Sequence, residues 1–207
     1  MYRVLNGFGI SERKVIAMNT SAVASEIENY IARIVERRNQ SGVLSEEECQ
    51  NILEYAAENK SDAVFGIGYY YFAENYWCKE DTDQTMYCLT ECAKCFRTAK
   101  MYEFLARTYN MMGAVSDYRD NKVVALNYYY TGLQYAETYH LPYALGMIAM
   151  NIAYILVRMK RFREAADNYE RAIQAYRRSE DSLNWNYNLA SCMLHCGLCY
   201  LRLGQEK

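Results

Sequence analysis

Apolar residues recur along most of this chain at every third or fourth position, the pattern of helices that bury one face. In residues 21–39, Val23, Ile27, Tyr30, Ile31 and Ile34 keep that period while charges fill the opposite face, which predicts an amphipathic helix. Ser41 and Gly42 interrupt it. Ser45 followed by Glu48 then has the spacing of a capping box and predicts a second helix through Ile52, Leu53 and Ala56. Interruptions near residues 59–62, 79–83, 117–121, 140–142, 160–161 and 178–181 divide the rest into helices of similar length. Pro142 suits the first turn of one of them, where its missing N–H is not needed. No segment alternates as a half-buried strand would. Short links between consecutive amphipathic helices make them antiparallel neighbours, so the expected architecture is all-α, a stack of helical hairpins. Residues 1–20 read as a tail or a short added helix, and residues 21–207 as the helical array.

Composition agrees with helix. The chain has one proline and ten glycines in 207 residues, and 52% of it is hydrophobic, ample for a core. A formal charge of −2 leaves no basic surplus for a polyanion, so no nucleic-acid partner is expected. No apolar run approaches the roughly 20 residues of a membrane span, and residues 1–18 hold no signal-peptide core. The expected location is the cytoplasm.

Of the eight cysteines, Cys88, Cys92 and Cys95 fall at i, i+4 and i+7, and so do Cys192, Cys196 and Cys199. On a helix each triad forms one stripe, badly placed for internal disulfides and well placed for packing. The spacing Cys192-x3-Cys196-x2-Cys199 also matches the iron–sulfur loop of radical S-adenosylmethionine enzymes, but that loop lies in a β/α barrel and these triads lie in helical segments. Zinc held by Cys192, His195, Cys196 and Cys199 would draw its ligands from one helix, an unusual arrangement. No metal or cofactor is expected. Gly66 and Gly68 lack the strand and third glycine of a nucleotide fingerprint and read as close helix packing. In the runs 69–71 and 128–130, adjacent tyrosines point in different directions, so at least one of each run must leave the core.

Internal repetition sharpens this picture. Ala153, Phe162, Ala165, Tyr169, Ala172 and Ile173 stand at tetratricopeptide spacing, and here the sequence resembles that family. The stripe Ala165, Tyr169, Ala172 recurs as Ala125, Tyr129, Gly132 and as Cys88, Cys92, Cys95, at separations of 40 and 37 residues. Leu105, Ala106 and Tyr109, then Ile152 and Ala153, then Cys196, Gly197 and Tyr200 take the first-helix positions. From Ala153 to Gly197 is 44 residues, longer than the roughly 34 of the standard unit, so extended helices are expected. The resemblance implies a right-handed superhelical solenoid of antiparallel hairpins. Gly204 reads as the turn after a first helix, so the last hairpin is expected to be incomplete and the chain part of a longer polypeptide.

In such solenoids the first helices line the concave face. The register assigns Arg107, Asn110, Asn151, Tyr154, Arg158 and Arg202 to it, with Tyr69 and Phe72 at the N-terminal end. Arginine and asparagine there offer directed hydrogen bonds to a peptide backbone, a carboxylate or a phosphate. The expectation is capture of a protein or peptide partner, with homodimer contacts as a second possibility, and loss of capture without loss of stability on Arg107→Ala with Arg158→Ala. Similar regions form the N-terminal sensory part of bacterial signalling proteins, including diguanylate cyclases with a C-terminal GGDEF domain. They also occur in peptide-responsive transcription regulators and phosphatases, although residues 1–60 carry no convincing helix-turn-helix. A non-catalytic binding or sensory module is the reading that results, with a peptide-responsive transcription regulator or a free-standing scaffold as the alternative and a metal or iron–sulfur protein ranked behind both.

Overall fold

A computed structural model describes residues 22–179 and 185–205. The expected tail at residues 1–20 lies outside the described residues. Among the described residues the chain is all-α, with nine helices and no strand: α1 (Ala22–Ser41), α2 (Glu46–Glu58), α3 (Asp62–Cys78), α4 (Thr82–Thr98), α5 (Tyr102–Tyr118), α6 (Lys122–Thr138), α7 (Pro142–Arg158), α8 (Phe162–Arg177) and α9 (Trp185–Gln205). None is long and apolar enough to cross a membrane.

The helix starts follow local chemistry. The Ser45 hydroxyl accepts from the Glu48 N–H and the Glu48 carboxylate accepts from the Ser45 N–H, the capping box read from the sequence. Ser61, Asp81 and Asn121 cap α3, α4 and α6 with the side-chain half of that arrangement alone, while α7 opens with Pro142 in its first turn.

The connections set the repeat length. Lys60, Glu80, Lys100, Asp120, His140 and Lys160, one at every twentieth position, all have positive φ. Each ends its helix in a Schellman motif. After α3, for example, Glu80 N–H donates to Trp77 C=O and Asp81 N–H to Tyr76 C=O, and the pattern recurs after α2 and after α4 to α7. The residue that closes the motif is also the one that opens the next helix, so three residues suffice for each turn from α2 to α8. Helices therefore start at 62, 102 and 142 and at 82, 122 and 162, a hairpin period of 40 residues. The turn at residues 99–101 carries no glycine, proline, asparagine or aspartate and escapes a search for turn residues.

This period corrects the sequence register. Thr85, not Cys88, is the counterpart of Ala125 and Ala165, and Gly113, not Ala106, that of Ala153. Residues three or seven apart share a helix face, so a shifted stripe looks the same in sequence. Gly204 is likewise not a turn residue, since it lies inside α9.

Helices α1–α4 form one compact unit and α5–α9 a second. In the first, α3 lies between α2 and α4. It buries Ile67, Tyr70, Tyr71 and Trp77, leaving Tyr69 half-buried. A Cβ on Gly66 would stand 2.5 Å from two carbons of the Phe96 ring, and one on Gly68 2.5 Å from Leu53, so both glycines let helices approach. Glu74 is fully buried in α3 and is met by Arg38 of α1, whose Nε and Nη2 donate to its two oxygens at 3.1 and 3.2 Å. Such a fork satisfies a charge that burial would otherwise penalise.

In the second unit α5 pairs with α6, α7 with α8, and α8 with α9. Small residues again receive aromatics: a Cβ on Gly113 would meet the Tyr129 ring at 2.6 Å, and one on Gly146 the Tyr176 ring at 2.9 Å. Cys192, Cys196 and Cys199 form the buried stripe of α9, and Cys196 Sγ donates to the Ala166 carbonyl of α8 at 3.8 Å. The other side of α9 exposes Tyr187, Leu194, Leu198 and Leu201, and Gly197 there has open space around it.

Candidate functional site

The residues expected to line a groove divide between the two units. Six belong to α5, α7 and α9, and three of these, with Asp117, join in two polar links between α5 and α7. Asn151 Nδ2 donates to Asn110 Oδ1 at 2.9 Å. Two turns further along, Arg158 Nη1 donates to both carboxylate oxygens of Asp117 at 2.7 Å, and Nη2 lies 3.5 Å from Asp120. Both links join residues 41 apart, so they repeat with the hairpins. The Arg158 guanidinium also lies 5.8 Å from the centre of the Tyr154 ring, a cation–π contact. Tyr154 itself is 50% exposed.

Arg107 and Asn110 are placed differently from what a solvent-lined groove requires. Arg107 is 1% exposed and Asn110 3%, so neither presents its polar end to water. Arg158 is committed to Asp117. The expectation that Arg107→Ala with Arg158→Ala would leave stability intact is therefore withdrawn, because the first empties a buried site and the second orphans a carboxylate. The accessible part of the α5–α7 face consists of Tyr154, Arg158 and the half-buried Asn151. Arg202 stands exposed on α9 with no hydrogen bond or ion pair to any described residue. Tyr69 and Phe72 belong to α3 in the other unit, where both are half-buried and Phe72 stacks on Tyr76 with centroids 5.9 Å apart.

Two features of the second unit were not read from the sequence. The first is a ladder of tyrosines along the α5–α6 seam. Tyr102 stacks on Tyr139 with centroids at 3.6 Å and planes 9° apart, Tyr109 on Tyr135 at 5.8 Å and 9°, and Tyr109 on Tyr128 at 6.4 Å and 27°. Its signal is the seven-residue spacing of Tyr102 with Tyr109 and of Tyr128 with Tyr135, two turns apart on each helix. A hydrogen bond with Tyr102, then partial burial, raises the Tyr139 phenol above its ordinary range.

The second is a cleft of about 380 Å³ formed by α6, α7 and α8. Its floor is apolar, made by Ala136, Leu141, Pro142, Leu145 and Ala175, and its rim carries Glu137, His140, Arg171, Gln174 and Arg178. Arg171 pairs with Glu137 across the rim. Arg178 caps the C-terminus of α8 and has no acidic partner among the described residues. Its parts come from three helices, which is why no local motif reveals it.

The cysteines are arranged for packing. Desolvation pushes the Cys88 thiol up to about 11 and those of Cys49 and Cys192 to about 12, so they are protonated at neutral pH. His195 stacks near Tyr169 with centroids at 5.8 Å, and its Nδ1 donates to the Ser191 carbonyl at 2.7 Å. Among the described residues no three histidine, cysteine or acidic side chains converge as a metal site would require. The chain matches no protein-family model, and no curated protein resembles it closely.

Proposed function

We propose that this chain is a non-catalytic, tetratricopeptide-like module that captures a protein or peptide segment on the face formed by α5 and α7. The supporting observation is that this face leaves the Tyr154 ring half exposed beside the Arg158 guanidinium and the Asn110–Asn151 pair. Packing leaves half of that ring in water, whereas an aromatic flanked by directed hydrogen-bond donors suits an extended peptide. In this reading the module acts as the sensory or regulatory part of a signalling protein, in a reducing cytoplasm suited to eight free thiols.

The test is panning of a random peptide library on the purified chain, followed by calorimetry with the peptide selected. Tyr154→Ala should weaken that peptide by about tenfold or more while the unfolding midpoint stays put, as for a binding residue that packing does not need. Equal affinity of Tyr154→Ala and wild type would reject this face as the site.

A further inference from the structure

The cleft between α6, α7 and α8 combines three properties: an apolar floor, a rim richer in cations than in acids, and enough room for a small molecule. Pockets that hold small ligands span roughly 300–1,000 Å³. At about 380 Å³ this one suits a ligand of modest size.

Charge decides the class of ligand. Among the described rim residues Glu137 is the one carboxylate, and it is already held by Arg171. Arg178 has no such partner among the described residues, and Gln174 stands one turn before it on α8. A guanidinium pairs with a carboxylate through two parallel N–H donors, and a neighbouring amide adds a third. Below that rim, Leu141, Pro142 and Leu145 remain only half-buried, and their exposed area rewards an apolar group. A bare inorganic anion leaves the floor wet, and a neutral hydrocarbon makes no use of the exposed Arg178 guanidinium.

We propose that this cleft binds a monocarboxylate carrying a short apolar group, its carboxylate on Arg178 and its apolar part against Leu141, Pro142 and Leu145. This chemistry belongs both to the C-terminal residue of a peptide and to a free medium-chain fatty acid. The site is separate from the peptide face proposed above. Leu145 and Tyr154 are nine residues apart on α7, roughly half a turn out of phase at about 100° per residue, so they look to opposite sides of that helix.

Calorimetry with octanoate, octanol, N-acetyl-leucine and N-acetyl-leucinamide tests the idea. A carboxylate probe should bind, with its neutral counterpart at least about tenfold weaker, as expected for loss of a charge-assisted pair. Octanoate alone would identify a fatty-acid site and N-acetyl-leucine alone a peptide C-terminus; either result supports the proposal. Arg178→Gln, an exposed change that keeps the fold, should lower affinity by about tenfold, and Leu145→Trp should block the floor. Tyr154→Ala should bind these probes as wild type does, which keeps this test distinct from that of the peptide face. Absence of binding by both carboxylates, equal binding of the neutral probes, or unchanged affinity in Arg178→Gln would overturn it.

Discussion

At the scale of single residues, the fold depends on where a side chain is missing. Gly66, Gly113 and Gly146 each lie beneath an aromatic ring, so the absence of a Cβ lets an entire Phe or Tyr settle between helices. Gly197 occupies a helix too, but nothing surrounds it. The same substitution should therefore act oppositely at the two kinds of site. Gly66→Ala puts a methyl 2.5 Å from the Phe96 ring and should cost about 1–3 kcal/mol through overpacking. Gly197→Ala should gain up to about 1 kcal/mol from helix propensity alone. Urea unfolding of the two variants checks both signs.

At the scale of the element, the helices are defined chiefly by how they begin and end. Six Schellman closures with lysine, glutamate, aspartate or histidine at positive φ hold their turns at about 1–2 kcal/mol of conformational strain each, offset by the carbonyls they satisfy. The start of α2 supplies a pH-dependent term. Hydrogen bonding from the Ser45 backbone, aided by Arg37, holds the Glu48 carboxyl below its ordinary value. A carboxylate with a depressed folded pKa contributes stability above its unfolded pKa and loses it as pH falls through the folded value. Glu48→Gln should accordingly be less stable than wild type near pH 7, and the gap should close by about pH 3, where the carboxylate is protonated. Thermal melts across that range would show it; a constant gap would mean that the charge contributes nothing.

At the scale of the molecule, the eight thiols report on packing throughout the chain. Cys78 is exposed, Cys95 is half-buried, and the other six are buried. Reaction with an aromatic disulfide under native conditions should be fastest at Cys78, slower at Cys95, and limited by unfolding at the rest. Mass spectrometry after brief labelling gives the order, and rapid labelling of Cys192 or Cys88 would contradict their burial. The thiols also show how far a spacing motif reaches. Cysteines at i, i+4 and i+7 resemble a ligand set only until the helix that carries them is recognised; then the same spacing places them on one packing face.

The hydrophobic period, the Ser45–Glu48 box and Pro142 were sufficient by themselves to determine an all-helical chain of antiparallel hairpins, because helix periodicity and capping are local properties of adjacent residues. Register was less secure, since a helix face looks alike after a shift of three or seven positions, and only the turns at every twentieth residue distinguish 40 from 37. Which polar residues meet water was decided by tertiary structure alone. Arg107 and Tyr154 carry equal promise in sequence, yet one is enclosed and the other half open, because exposure depends on neighbours far away along the chain. The cleft at Arg178 likewise exists only where three helices, none of which encodes it alone, come together.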